Sequence, residues 1–512
     1  MNEDLIESLQ AAIKHGELQE AAALIAAGAD VRYQDENGYD ALINAVYGEE
    51  DSRLLEMLTL LIESGAPLTG ISSYGESAVR VLSRTGRFVA LRLLLDAGAN
   101  KEDIELTELM EAVAFGSLTD IKEALTRGVD LEAQDYWQRT AWLIAIQTGD
   151  VSKAKFLLGC GADSQARGRC GKPPLFYAIE NDHLPMLEWL LKIGADVNQT
   201  DDFGGTALIE AADHDTVEGV EMLLRAGVDA NHEAGTGPAL NHSSNRTITL
   251  RLLEAGADPR GLSSEGRRVI LGYPPDPQEK MLVVSMDDFR KFRSPYFGTA
   301  NPEMVNNPFW EGMIRSGLTA YQAEVKIEGE RDYGAKHGPI WCADRFGQSL
   351  TFLEDGRIVQ IAGEHEDSYD PDFYIYNDVI VHDPDGTITI YGYPASVFPS
   401  TDFHTATLIG RHIYLIGSLG YQGTRKFGET PVYRLDTDTF QIECLQANGD
   451  NPGWIYEHRA NQSAPNEIQI TGGKVASNID GVEHHSDNAA TFALNTENLT
   501  WAEVAGMDQP TK

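Results

Sequence analysis

Apolar positions in the first half of the chain recur at i, i+3 and i+4 in short runs separated by polar turns, and the runs themselves repeat. Residues 171 to 196 show one full period. Leu175, Ala178 and Ile179 line one face of a short helix that opens after Pro173 and Pro174, where a missing N–H costs nothing. Asn181-Asp182-His183 breaks it, and Met186, Leu187, Leu190 and Leu191 line the face of a second helix. Gly194 then ends that helix in the left-handed conformation that glycine adopts cheaply. Every period closes on a phrase built around Gly-Ala-Asp, with glycines at Gly28, Gly65, Gly98, Gly128, Gly161, Gly194, Gly227 and Gly256. Their steps are 37, 33, 30, 33, 33, 33 and 29 residues. A period near 33 predicts an all-α solenoid over residues 1–262, because neither helix of a unit buries its apolar face without a stacked neighbour.

The pattern fails after Leu262. Residues 263–340 form a joint: Tyr273-Pro274-Pro275-Asp276-Pro277 reads as a stiff linker, and Asn307-Pro308 as a helix start. Phe309, Trp310, Met313, Ile314, Leu318 and Tyr321 then follow at helical spacing, an amphipathic piece expected to pack within the chain. From 341 to 505 the hydrophobic period changes to two, with strands at Arg357–Ile361 and His412–Ile416. Ala362-Gly363, Gly417-Ser418 and Gly472-Gly473 follow equivalent strands at steps of 55 residues, and closing strands lie near Val379–Val381, Val432–Leu435 and Ala490–Ala493. Ala323–Ile327 and Pro339–Cys342 are candidate strands of a divergent fourth unit, and residues 506–512 are expected to be a disordered tail.

The 33-residue unit resembles the ankyrin repeat, whose opening motif has its counterparts in Asp40–Ala45, Thr140–Ala145, Pro173–Ala178 and Thr206–Ala211. The 55-residue unit resembles the kelch repeat of β-propellers, although Gly472-Gly473 is its one true diglycine and Trp501 its one closing tryptophan. Together they look like uncharacterised bacterial ankyrin–kelch proteins, and the resemblance implies a solenoid of about eight repeats followed by an all-β propeller or partial propeller. It also implies turn fingers that grip another protein. One slot, just before the turn glycine of each finger, holds Asn37, Tyr74, Trp137, Cys170 and Phe203. Aromatic residues at exposed tips suit interface anchors, so Tyr74, Trp137 and Phe203, with Tyr136 beside Trp137 and Tyr33 in the first finger, are the candidate partner-binding residues.

A formal net charge of −39 argues against nucleic acid and would attract a basic protein partner. Four scattered cysteines and no Cys-x-x-Cys fit a reducing compartment. The N-terminus lacks a signal-peptide pattern and no stretch is apolar enough to span a membrane, so a cytoplasmic protein without membrane contact is expected. No nucleophile elbow, phosphate loop or dinucleotide fingerprint is present, so no enzyme activity and no cofactor are expected. His365, Glu366, Asp367, Asp370 and Asp372 could hold a divalent cation, and Glu483, His484, His485 and Asp487 fall in the analogous loop of the third unit. The reading is therefore a protein-interaction scaffold. Its rivals are an acidic inhibitor that caps a basic partner and a metal-dependent enzyme centred on His365.

Overall fold

A computed structural model describes residues 2–48, 51–329, 338–365 and 373–504. The chain divides into two compact units, Met1–His242 with Glu254–Ala257 and Ser243–Leu253 with Asp258–Lys512.

The first unit is helical. Asn2–Lys14 and Leu18–Ala26 form the leading pair. The short helices Ala41–Val46, Ala78–Arg84, Glu108–Phe115, Ala141–Gln147, Pro174–Ile179 and Ala207–Asp213 then each precede a longer one. These partners are Leu54–Glu63, Phe88–Asp96, Leu118–Thr126, Val151–Gly159, Leu184–Lys192 and Val217–Arg225. Asp40, Ser77, Thr140 and Thr206 cap four of the short helices by accepting the N–H of the third helical residue. Leucine, isoleucine and alanine fill the interior, with Leu42, Leu82, Leu143, Leu187 and Leu223 fully covered.

The recurring phrase is a helix stop followed by a turn. Gly161 adopts φ +97° and donates to Leu158 O (3.0 Å), while Ala162 donates to Leu157 O (3.1 Å). The same two bonds close the helices at Gly65, Gly98, Gly194 and Gly227, so the leucine pair supplies carbonyls as well as apolar surface. The following aspartate turns the chain: Asp163 Oδ1 accepts from the Gln165 N–H (2.9 Å), and Asp30, Asp130, Asp196 and Asp229 do likewise.

The second unit carries a strand-rich region of several mainly antiparallel sheets, none closed into a barrel among the described residues. Three four-stranded meanders follow one another. The first is Ser349–Phe352, Ile358–Ile361, Val379–His382 and Ile388–Gly392, with Glu303–Val305 added at its edge. The second is Thr405–Ile409, His412–Ile416, Val432–Asp436 and Ile442–Cys444. The third is Arg459–Ala464, Glu467–Thr471, Thr491–Asn495 and Thr500–Val504, with Asn448–Gly449 parallel to its last strand. The connection from second to third strand carries the insertions: a pair Glu364–His365 and Tyr374–Ile375, a turn at Gln422–Thr424, and a hairpin Lys474–Ile479 and Val482–Asp487, which pairs with Trp454–Tyr456 from the segment before the third meander.

Consecutive meanders are joined at equivalent corners. Phe403 N–H donates to Gly347 O (2.8 Å) and Glu457 N–H to Phe403 O (3.0 Å), and all three residues have φ between +47° and +61°. Beside these corners Ser349 Oγ bonds His404 Nε2 (2.8 Å), and Thr405 Oγ1 bonds His458 Nε2 (2.9 Å). Both rings are wholly buried, and burial pushes His404 down to about 4 and His458 down to about 3.

Two expectations for the joint part company. The helix expected after Asn307 is Pro308–Ser316, capped by the Asn307 side chain, and it buries Phe309, Trp310, Met313 and Ile314, with Trp310 stacked on Trp341 (4.8 Å). Ala323–Ile327 is not a strand: it lies in the helix Ala320–Glu328, which opens on a reciprocal cap between Thr319 and Gln322.

Candidate functional site

The fingers between helix pairs are tight turns. Isolated bridges Gln34 to Asp40 and Thr200 to Thr206 close two of them. The slot aligned by sequence has a backbone role. Ser73 N–H donates to Asn37 O (2.8 Å), Arg169 N–H to Trp137 O (2.8 Å), and Asp202 N–H to Cys170 O (2.9 Å). These three slot carbonyls are thereby tied to the next finger, and the slot side chain is left at the tip. The following residue turns left-handed: Gly38, Gly75, Gly171 and Gly204 do so at φ +68° to +81°, and Gln138 does so without being glycine, at +58°.

Tyr74 and Phe203 stand out of the row, 72% and 73% exposed. Tyr136 and Trp137 are half-buried and meet edge to face, with centroids 5.0 Å apart. Tyr33 departs from the expectation. Its ring is buried, its hydroxyl accepts from Asn44 Nδ2 (3.1 Å), and burial raises its pKa, so it belongs to the core. Beside Tyr74, Tyr39 and Tyr47 both donate to the Glu76 carboxylate (2.8 and 2.5 Å). Burial and this carboxylate push the Tyr47 hydroxyl up to about 12.

The arginines around the central fingers were not singled out from the sequence. Arg139 is buried and bonds Asp135 through Nε (2.9 Å) and Nη2 (2.5 Å), the Ser83 carbonyl (2.5 Å) and hydroxyl (2.6 Å), and Gln147. Arg80 lies over the Tyr136 ring at 4.4 Å, Arg84 over Trp137 at 5.8 Å, and Arg169 over Trp137 at 5.6 Å. Two of these cations come from the helix Ala78–Arg84 and one from the finger after Trp137. Arg80, Arg84 and Arg169 lie 57, 53 and 32 residues from Trp137, so no single repeat spacing links them to it.

Of the proposed cation ligands around residue 365, the structure describes His365 alone. His365 is buried in its short strand pair, and Glu366, Asp367, Asp370 and Asp372 lie outside the described residues. Glu483 is paired with Arg425 and with His485 Nε2 (3.1 Å), whose Nδ1 meets the Tyr456 hydroxyl (2.8 Å). Among the described residues no group of three or more His, Cys, Asp or Glu is placed to hold a metal ion. Among them, too, no helix is long and apolar enough to cross a membrane.

Models of ankyrin repeats match residues 9–62, 109–201 and 143–234. An ankyrin repeat protein of Acanthamoeba polyphaga mimivirus is 34% identical over 101 residues, 20% of this chain and 62% of that protein. The chain therefore spans about three fifths of the length of this relative. The matched stretches coincide with the helix pairs, their glycine stops and the finger ladder. Ankyrin repeats are generally protein–protein interaction modules, and the residues that match their models lie in the first half of this chain.

Proposed function

We propose that the chain is a protein-interaction scaffold whose ankyrin fingers grip a partner through Tyr74, Tyr136, Trp137 and Phe203. One observation carries this reading. Tyr74 and Phe203 expose nearly three quarters of their surface from the tips of a finger row whose backbone is held by bonds between neighbouring fingers. A large ring on a rigid support loses little freedom when it is covered, which suits a hot-spot anchor. The strand-rich region is the second arm of the scaffold. Its three meanders, with equivalent corners and equivalent insertions, support a kelch-like partial propeller that offers its second-to-third connections to another molecule. A cytoplasmic setting suits the scarcity of cysteines and remains part of this proposal.

The test is affinity capture with the full-length chain and with a Tyr74→Ala/Phe203→Ala variant, read by quantitative mass spectrometry. Both side chains are exposed, so the variant is expected to fold. A captured protein that falls by about tenfold or more with the variant supports the finger row as the gripping surface. Undiminished capture of every partner contradicts it.

A further inference from the structure

We infer that the finger row takes an acidic segment of its partner, with carboxylates paired to Arg84 and Arg169 across Trp137. This rests on the fingers being the gripping surface and adds the sign of what they grip. It reverses the basic partner that the whole-chain charge suggests.

Three guanidinium groups gather on Tyr136 and Trp137 in a chain whose net charge is −39. The chain has 79 acidic residues against 40 lysines and arginines, so its overall field favours cations. Arg84 and Arg169 are both exposed, and Arg80 is half-buried. Arg80 donates to the carbonyls of Asp103 (3.1 Å) and Gly75 (2.7 Å), and Arg84 to the Tyr47 hydroxyl (3.2 Å). Among the described residues none of these three guanidinium groups is in an ion pair with a carboxylate. Three acids of the same fingers are engaged elsewhere. Arg139 holds Asp135, two tyrosine hydroxyls hold Glu76, and Asp201 takes the N–H groups of Phe203 (2.9 Å) and Gly205 (2.8 Å).

The aromatic pair orders these cations. A guanidinium laid on a ring is held in place and keeps N–H edges for a planar, bidentate acceptor, which is what a carboxylate is. Arg84 and Arg169 both lie over the half-buried Trp137 ring, so two forks converge on one indole. A short acidic segment samples only this neighbourhood, because salt screens charges beyond about 8 Å at physiological ionic strength. An extended nucleic acid would instead meet the field of a chain carrying −39, which disfavours it as the occupant.

The experiment selects a displayed library of random peptides on the full-length chain and measures a synthesised winner by fluorescence anisotropy. Enriched peptides are expected to be net acidic. They are expected to bind Arg84→Glu/Arg169→Glu, and the milder Arg84→Gln/Arg169→Gln, at least about tenfold more weakly, and to weaken as salt is raised. Unchanged thermal midpoints of both variants exclude unfolding as the cause. Enrichment of basic or neutral peptides overturns the inference, as does no enrichment. Tighter binding of an oligo-dT probe than of any acidic peptide also overturns it and makes the row a nucleic-acid surface. Peptides lost on Trp137→Ala but indifferent to both arginine variants remove the acidic preference and leave the gripping surface standing. Peptides indifferent to Trp137→Ala, Tyr74→Ala and Phe203→Ala remove the gripping surface itself.

Discussion

Arg139 shows how one residue ties the central fingers together. Its side chain is 1% exposed and that of its partner Asp135 is 0% exposed, so neither charge reaches water. Arg139→Met leaves Asp135 charged and buried and is expected to cost about 3 to 5 kcal/mol, read by urea unfolding. The double change Asp135→Asn/Arg139→Met is expected to recover much of that loss; a double variant as unstable as the single one contradicts the account. Gly194 isolates a different effect. A Cβ there would meet nothing within 4 Å, yet φ is +88°, so Gly194→Ala is expected to cost about 1 kcal/mol through the backbone alone. At this scale the slot was legible as a backbone position, its carbonyl tied to the next finger at Asn37, Trp137 and Cys170. Tyr33 was not, because an aromatic near a turn reads the same whether it faces solvent or a buried Asn44. The arginines were not, because their approach to Trp137 depends on how repeats stack.

Elements were legible where a strong period ran long enough. Each predicted helix stop coincides with a left-handed glycine, and the strands at Arg357–Ile361 and His412–Ile416 are Ile358–Ile361 and His412–Ile416. Ala323–Ile327 misled because five alternating residues fit a strand. The Thr319–Gln322 cap and good helix formers outweighed that alternation. The hydroxyl–imidazole links between meanders lead to a pH prediction. His404 and His458 are held neutral, with folded values below the usual histidine value, so the unfolded chain binds the extra protons. Their contribution to stability is complete above about pH 6.5 and is lost as the pH falls towards about 4 and about 3. The stability gap between the parent chain and His404→Gln is therefore expected to narrow between about pH 7 and about pH 4 in calorimetry. A constant gap contradicts it.

For the whole molecule, the charge of −39 acts on each unit as self-repulsion. Raising salt from about 0.02 to about 0.2 M is expected to raise the thermal midpoints, because screening shortens the reach of like charges. The same change is expected to weaken an acidic peptide on the finger row. Two opposite responses to one variable would separate the global field from the local one, and parallel responses would contradict the guanidinium cluster as the binding surface. Composition alone made the global charge legible. It could not reveal this cluster, since that depends on Asp135, Glu76 and Asp201 being engaged while Arg84 and Arg169 lie over Trp137 outside any carboxylate ion pair among the described residues.

The links between meanders behave like the bonds of a short oligomer with blocked ends. Each joint needs a hydroxyl at the start of one meander's first strand and an imidazole just before the next, which Ser349 with His404 and Thr405 with His458 supply. The position before Ser349 is Gln348 rather than histidine, and the one after His458 is Arg459 rather than serine or threonine. The first sheet can give but not receive, and the third can receive but not give. Three sheets joined in this manner have two joints and no valence left over, so a copied unit would lengthen the series only if inserted between the ends.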